Sequence, residues 1–396
     1  MNVLAGMRVV DFGQGVAGPY CGTLLGDFGA DVIKVEPFRG DWSRSMGSRI
    51  GPTDTTTSIS VNRNKRSVAI DLAKEAGKNI ARKLALSSDV LVESFRPTVM
   101  DRLGLGYDAL SPLNPELIYC SVTGYGASGP YAELPAGDST TQGVGGLMSI
   151  VGEAGGGPLR VGNVVSDMLA GMHCFEAVLL STIGRTKTGK GGRVQINLLE
   201  TMLAFQAAPL TEFLHTGVQA DRTGNAHPLV CPSGAIKTTD GMVTFTVLHH
   251  QWPAFCKFLG MPELIEDVRF ATNELRIAHR TDLMGIVQSR FITLDKATAL
   301  DRLRKADVLC APVNSYADLV EDPQVKHNHS FRSVTHPVLG KMPVIANPIH
   351  IDGQSFEPAA APRLGEHTYA VLSKDLSLAD AEIEKLESDG AIYLAP

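Results

Sequence analysis

Short apolar runs alternate with amphipathic stretches along the first third of the chain. MRVVDF is one compact apolar run, ADVIKVE a second, and PYCGTLLGDFG between them spaces its apolar residues as a helix does. SVAIDL leads through the helical KEAGKNIARKLAL into DVLVESF, and ELIYCSVTGYG supplies a further strand. Strands that alternate with helices of this length predict a parallel sheet covered on both faces, an α/β fold. Residues 137 to 160 are glycine-rich and weakly patterned, so they read as loop and turns. A helix running to about Gly184 follows, then the turn RTKTGKGGR, the strand VQINL and one apolar helix, LLETMLAFQAAPLTEFLH.

The pattern changes near residue 216. TGVQADRTGNAHPLVCPSG has the Gly, Pro and polar content of a linker. AIKTTDGMVTFTVL beyond it reads as a hairpin through Asp240-Gly241, and the helices QWPAFCKFLG and RTDLMGIVQSRFI complete a smaller α+β unit. HPVLGKMPVIANP is a second Pro/Gly-rich segment, before a terminal helix that Ser377 and Asp380 start as a capping box. A chain of 396 residues exceeds one small core, so two domains are expected. The divisions fall at 1–215, 216–332 and 333–396, the last segment returning to the first.

Composition, 44% hydrophobic and 20% charged, is that of an ordinary globular protein. No apolar run approaches the roughly 18 residues of a membrane span, and the N-terminus lacks a signal-peptide layout. Six widely spaced cysteines, with no CxxC pair, suggest buried thiols of a reducing cytoplasm and no metal site. A net charge of −6 argues against general nucleic-acid binding, so a polyanionic ligand needs a local basic cluster. Arg39, Lys65, Arg66, Arg96 and Arg102 supply one, all near expected strand ends or in the loops after them. Phe95 adds an aromatic face for a purine; together they favour a nucleotide carrying several phosphates.

Two motifs bear on that ligand. Gly13-Gln14-Gly15-Val16-Ala17-Gly18 follows a strand, opens a helix, and has Glu36 at the end of the next strand. That is the setting of a dinucleotide fingerprint, so an NAD-binding oxidoreductase stands as one reading. A helix N-terminus there can equally serve another phosphate ligand. Gly184-Arg-Thr-Lys-Thr-Gly189-Lys190 is nearly a P-loop, but Gly191 follows where Ser or Thr is needed, and the helix precedes the loop.

One carboxylate stands out. VGNVVSDMLAGMHCF, residues 161 to 175, holds a single acidic residue, Asp167, between Val164-Val165 and Met168-Leu169. Either Ser166 or Asp167 caps the helix, or Asp167 is a nucleophile in a dry pocket.

The quoted motifs VVDFGQGVAGPYCGTLLGDFGADVIKVEP, NRNKRSVAIDL, DVLVESFRPTVMDRLGLGY, PLRVGNVVSDMLAGMH, GNAHPLVCPSG, RFATNELR and APRLGEHT together resemble the class III CoA-transferases. These form the CaiB/BaiF family, which includes formyl-CoA and carnitine CoA-transferases. The resemblance runs from residue 7 to 368 in family order. It implies a Rossmann-like large domain made by both chain ends, a smaller inserted α+β domain, and an interlocked-ring homodimer. It implies that the GxGxxG turn meets coenzyme A, with no tightly bound cofactor, nucleic acid or membrane, in a cytoplasmic enzyme. The family's nucleophilic aspartate falls on Asp167. Its CoA contacts fall on Val16, Ala17, Arg39, Ile70, Asp71, Leu72, Ala73, Ser94, Phe95, Arg96, Arg102, Ala136 and Gly137.

The expected chemistry moves CoA from an acyl-CoA, for example succinyl-CoA, to a small acid through aspartyl anhydride and aspartyl-CoA thioester intermediates. The helix N-terminus is expected to keep Asp167 ionised despite burial, and GVGG at 143–146 to offer N–H groups to the oxyanion. The glycine-rich lid of formyl-CoA transferases is absent from the small domain. Dicarboxylates such as itaconate or mesaconate are therefore the expected acceptors, with Arg39, Arg44 or Arg96 as partner. The α-methylacyl-CoA racemases of this family pair their aspartate with a histidine in an AGHD-like run. Here that run is Ala136-Gly137-Asp138-Ser139, which disfavours racemisation. His173, His227, His249 and His250 read as packed or surface residues.

Overall fold

The computed structural model describes residues 2–395. Six of the seven described strands of its main sheet are, in chain order, β1 (Arg8–Asp11), β2 (Asp31–Glu36), β3 (Lys65–Ile70), β4 (Val90–Glu93), β5 (Ile118–Thr123) and β6 (Gly192–Asn197). Their spatial order is 3-2-1-4-5-6 and all pairings among them are parallel. Alternate residues serve opposite faces. Val10 and Ile33 pack towards Ile80 and Leu84, whereas Val9 and Val32 pack towards Leu25 and Cys174. All are buried, which explains why the strands read as unbroken apolar runs. Each such side chain contributes about 1.5–3 kcal/mol of burial. The strand order reverses between β1 and β4, and the crevice opens there.

The helix carrying Asp167 spans Val165–Thr188 and packs on the helix Ala17–Asp27. Gly171 permits the approach: a Cβ there would lie 2.7 Å from the Ala17 carbonyl oxygen. Gly189, at φ +66°, ends the helix, so the near-P-loop is a helix C-cap.

The second unit contains β7 (Ser233–Thr238) and β8 (Gly241–Thr246), the antiparallel hairpin the Asp240-Gly241 turn predicts, with β9 (Leu309–Pro312) beside β8. Its core stacks Phe245 against Phe255 and Phe291. This unit comprises Met148–Arg160 and Thr211–Pro323; the larger one gathers the chain up to Leu147, Val161–Leu210, and the chain from Gln324 onward. The divisions thus differ from 215 and 332. Residues 148–160 join the smaller unit because Gly152 and Gly156 carbonyls accept from Gly224 N–H and Arg222.

Local structure differs from expectation elsewhere. The stretch 137–160 is not all loop, since Asp138–Val144 and Leu147–Ile150 are helical. The long apolar helix is two, Leu198–Phe205 and Ala207–Thr216, broken at Gln206. Gln206 spends its amide on the Gly145 and Met202 carbonyls. HPVLGKMPVIANP contains half of an antiparallel hairpin, β10 (Phe331–His336) with β11 (Gly340–Ile345). Both are edge strands, where Pro343 is tolerated. The terminal helix Asp380–Ser388 is capped at Ala379, whose N–H donates to Glu382; Ser377 lies outside it in the left-handed region. Finally β12 (Ile392–Tyr393) adds antiparallel to β3.

Candidate active site

At the sheet's switch point lies a cavity of about 490 Å³. Val16 and Ala17 reach it from the turn after β1, and Ser94, Phe95 and Arg96 from the turn after β4. Ala136, Gly137 and Asp138 come from the start of the helix Asp138–Val144, and Asp167 from the first turn of its own helix. Trp42 and Met46 complete one wall. A second cavity, of about 600 Å³, shares Gln14 and Trp42 with the first and is lined by Arg39, Arg44 and Arg49. Ile70, Asp71, Leu72, Ala73 and Arg102 line neither. Ile70 is a core residue, Asp71 is tied to Ala73 and Ala391, and Arg102 is exposed.

The glycine turn is fixed by side chains beneath it. Gly13 N–H donates to Asp11 Oδ1, Gln14 N–H to Ser94 Oγ and Gly15 N–H to Asp41 Oδ1, all at 2.7–2.8 Å. Lys34 donates to the Gly13 carbonyl, 3.2 Å from Asp41, and Lys65 bonds Asp11 at 2.7 Å. Burial pushes the Lys65 ammonium down to about 8, with Asp11 opposing. Gly15, at φ +80°, lies so close to Trp42 that a Cβ would overlap the indole.

This framework excludes the dinucleotide reading. Three N–H groups of the turn are already spent, and Glu36 is not free for a ribose. Glu36 is buried and takes Arg44 Nε and Nη2 at 2.7 and 2.8 Å and Ser67 Oγ at 2.7 Å. Burial opposes its ionisation, but the Arg44 bonds and charge, with Lys34, hold the carboxyl down to about 2. Arg44 itself also bonds Asp54, so it cannot receive an acceptor acid. Lys65 and Arg66 leave the expected basic cluster too. They begin β3, at the end of the sheet opposite the crevice, and Arg66 pairs with Asp31 and Asp375.

The helix cap is supplied from a distance. Neither Ser166 nor Asp167 caps its own helix; the N-cap is Val164, without a side-chain bond. Asp138 instead accepts the Ser166 N–H at 2.9 Å and the Ser166 hydroxyl at 3.0 Å, and Gln142 Nε2 at 2.7 Å. Asp138 carried no signal in the sequence beyond its place in the AGDS run, because its partner lies 28 residues away. Asp167 is half-buried. Burial, then the charge of Asp138, pushes its carboxyl up to about 7, contrary to the expectation that the helix N-terminus would keep it fully ionised. The GVGG oxyanion expectation also fails: Gly145 N–H donates to Thr141 and Gly146 N–H to Gly143, closing a helix end. No described histidine lines the cavity.

Comparison with known proteins decides what this crevice belongs to. The description CoA-transferase family III matches residues 4–368. The chain belongs to that family. It is a class III CoA-transferase, and among its relatives is the mouse succinyl-CoA:glutarate CoA-transferase, 35% identical over 99% of this chain and 91% of that one. The succinate–glutarate CoA-transferase of Agrobacterium fabrum is 33% identical over 97% of this chain and 96% of its own length. A solved CaiB/BaiF family protein from Brucella suis superimposes with a TM-score of 0.86 at 33% identity, covering 94% of this chain and 99% of that one. The transferase's mixed α/β fold with a large parallel sheet agrees with that neighbour. No described helix is long and apolar enough to cross a membrane.

Proposed function

We propose that this transferase moves CoA from succinyl-CoA to a small dicarboxylate of the glutarate class, with Asp167 as nucleophile. The observation that carries the reading is a carboxylate at the switch-point cavity with no hydrogen bond from any described residue, in a chain of this family. Two relatives are named for succinyl and glutaryl transfer, and a 33%-identical Chloroflexus aurantiacus protein for transfer to L-malate. Glutarate, malate, itaconate and mesaconate share two carboxylates. One reacts at Asp167, and Arg96, exposed at the cavity, meets the other. Val16, Ala17, Ser94, Phe95, Ala136 and Gly137 surround the thioester end of CoA, and the second cavity, with Arg39, takes its phosphates. Asp71, Leu72, Ala73 and Arg102 contact it only beyond these cavities, and Ile70 stays in the core.

The steps balance without water. A carboxylate oxygen of Asp167 bonds to the donor's carbonyl carbon, the C–S bond breaks, and CoA thiolate leaves an aspartyl-acyl anhydride. Thiolate attacks the Asp167 carboxyl carbon, expels succinate and leaves aspartyl-CoA thioester. The acceptor carboxylate then displaces thiolate from that carbon, and thiolate takes the acceptor acyl group, freeing Asp167. A poorly solvated carboxylate is the stronger nucleophile, and an apolar wall keeps water from both intermediates. Racemisation needs a second acid/base at the cavity. Asp138, with three donors on its carboxylate, does not provide one.

The enzyme works as an interlocked homodimer in this reading. The helix Ala207–Thr216 buries none of its residues, and Phe213 and Leu214 are exposed, which suits a face covered by a second copy. The test of function is succinyl-CoA with a panel of acids, read by mass spectrometry. Glutaryl-CoA or a related dicarboxylyl-CoA is expected, and Asp167→Ala should abolish it. Without acceptor, a fraction of wild-type enzyme should gain the mass of CoA minus water on the peptide holding Asp167. Turnover with monocarboxylates alone would overturn the acceptor class; retained turnover in Asp167→Ala would overturn the nucleophile.

A further inference from the structure

Asp138 and Asp167 line the same cavity, yet their surroundings are opposite. Asp138 is buried and its two oxygens accept three hydrogen bonds, two from Ser166 and one from Gln142. Gln142 is held in that orientation because its Oε1 accepts Val161 N–H at 2.9 Å. The Ser166 hydroxyl is further fixed by Thr141 Oγ1 at 2.8 Å. Three donors and no offered acceptor suit an ionised carboxylate. The Ser166 N–H is one of the first-turn groups that a helix leaves unpaired. Asp138 therefore occupies the donors that a first-turn carboxylate such as Asp167 would otherwise share.

The other charged or titratable groups around Asp167 are few. Arg96 faces the cavity from the turn after β4, and Tyr20, on the helix Ala17–Asp27, lines a neighbouring pocket with Met168 and the cation Arg63, which pairs with Asp27. His173 and Glu176, further along the same helix, pair with each other at 2.8 Å. Asp138 is the only described acid beside it in the cavity.

We propose that Asp138 is a positioning residue that withholds the Ser166 donors from the nucleophile and favours every state in which Asp167 is neutral. This rests on Asp167 being the nucleophile. When the Asp167 oxygen bonds to the thioester carbon and the C–S bond breaks, the negative charge passes from Asp167 to the CoA sulfur. The repulsion between the two carboxylates is relieved in that step, and equally in the aspartyl-CoA thioester. Asp138 thus biases the enzyme towards its covalent intermediates without touching the reacting atoms.

The test compares Asp138→Asn, Asp138→Glu and wild type. Asp138→Asn retains an acceptor for Ser166 but not the charge. The acid limb of its kcat profile should move to lower pH by about one unit, and its plateau kcat should fall about tenfold, with KM for acyl-CoA little changed. The fraction carrying the CoA adduct without acceptor should fall several-fold. Asp138→Glu retains the charge, so its limb should stay near that of wild type even if kcat falls. A limb unmoved in Asp138→Asn, or moved equally in Asp138→Glu, overturns the proposal. Should Asp138→Asn not fold, carboxyl carbon-13 titration of wild type and Asp167→Asn decides. Burial pushes Glu93 up to about 7 as well, so of the two resonances titrating near neutrality one must vanish in Asp167→Asn; if both persist, the proton sits on Asp138 and the proposal fails. Turnover surviving in Asp167→Ala would instead strike the nucleophile assignment itself, so the two failures are distinguishable.

Discussion

Replacing Asp167 by Asn should remove transfer and at the same time stabilise the folded protein above neutral pH. The carboxyl is shifted from an ordinary value of 3.8 to about 7, first by burial and then by Asp138. About three pH units at about 1.4 kcal/mol each set a ceiling near 4 kcal/mol on the cost of ionising it in the folded state. The side chain is only half-buried, and solvent screening lowers the expected figure to about 1–2 kcal/mol. Because the folded value is the higher one, Asp167 costs nothing below about pH 4, where both states hold the proton. Between about 4 and 7 the unfolded chain ionises while the folded one does not, so the penalty grows; above 7 it is complete. Asparagine has no proton to hold and escapes the penalty. Thermal unfolding should therefore place Asp167→Asn about 1–2 °C above wild type at pH 8, with a smaller gap at pH 5. A mutant no more stable than wild type at pH 8, or a gap of equal size at pH 5, would refute the burial argument.

Gly15→Ala should cost most of the acyl-CoA affinity, because its Cβ meets the Trp42 ring and φ is +80°; calorimetry of CoA binding checks this, and unchanged affinity would show that Trp42 is free to move. Arg44→Ala leaves Glu36 and Asp54 buried without their cation and should destabilise the fold by about 3–5 kcal/mol, measured by urea unfolding at pH 7. The protein should bind CoA and show no saturable NAD(H) binding, since Glu36 and three turn N–H groups are already engaged; titration of both ligands against the same sample decides.

Strand-scale information was legible in the sequence because it is local. Period and apolar content placed β1 to β6, and one acid in an apolar run marked Asp167. Turn chemistry did the same for the Asp240-Gly241 hairpin. Other features depended on partners far along the chain. Glu36 reads as a ribose ligand until Arg44 and Ser67 close on it, and Lys65 reads as a phosphate ligand until Asp11 takes it, 54 residues away. The cap on the Asp167 helix comes from Asp138, across a glycine-rich stretch whose weak pattern hid a short helix. Sequence determines which side chains can carry charge. Only the tertiary structure decides which charges remain uncompensated, because desolvation and hydrogen bonding act through space: they silenced Glu36, Arg44 and Lys65, and left the Asp167 carboxylate without a partner.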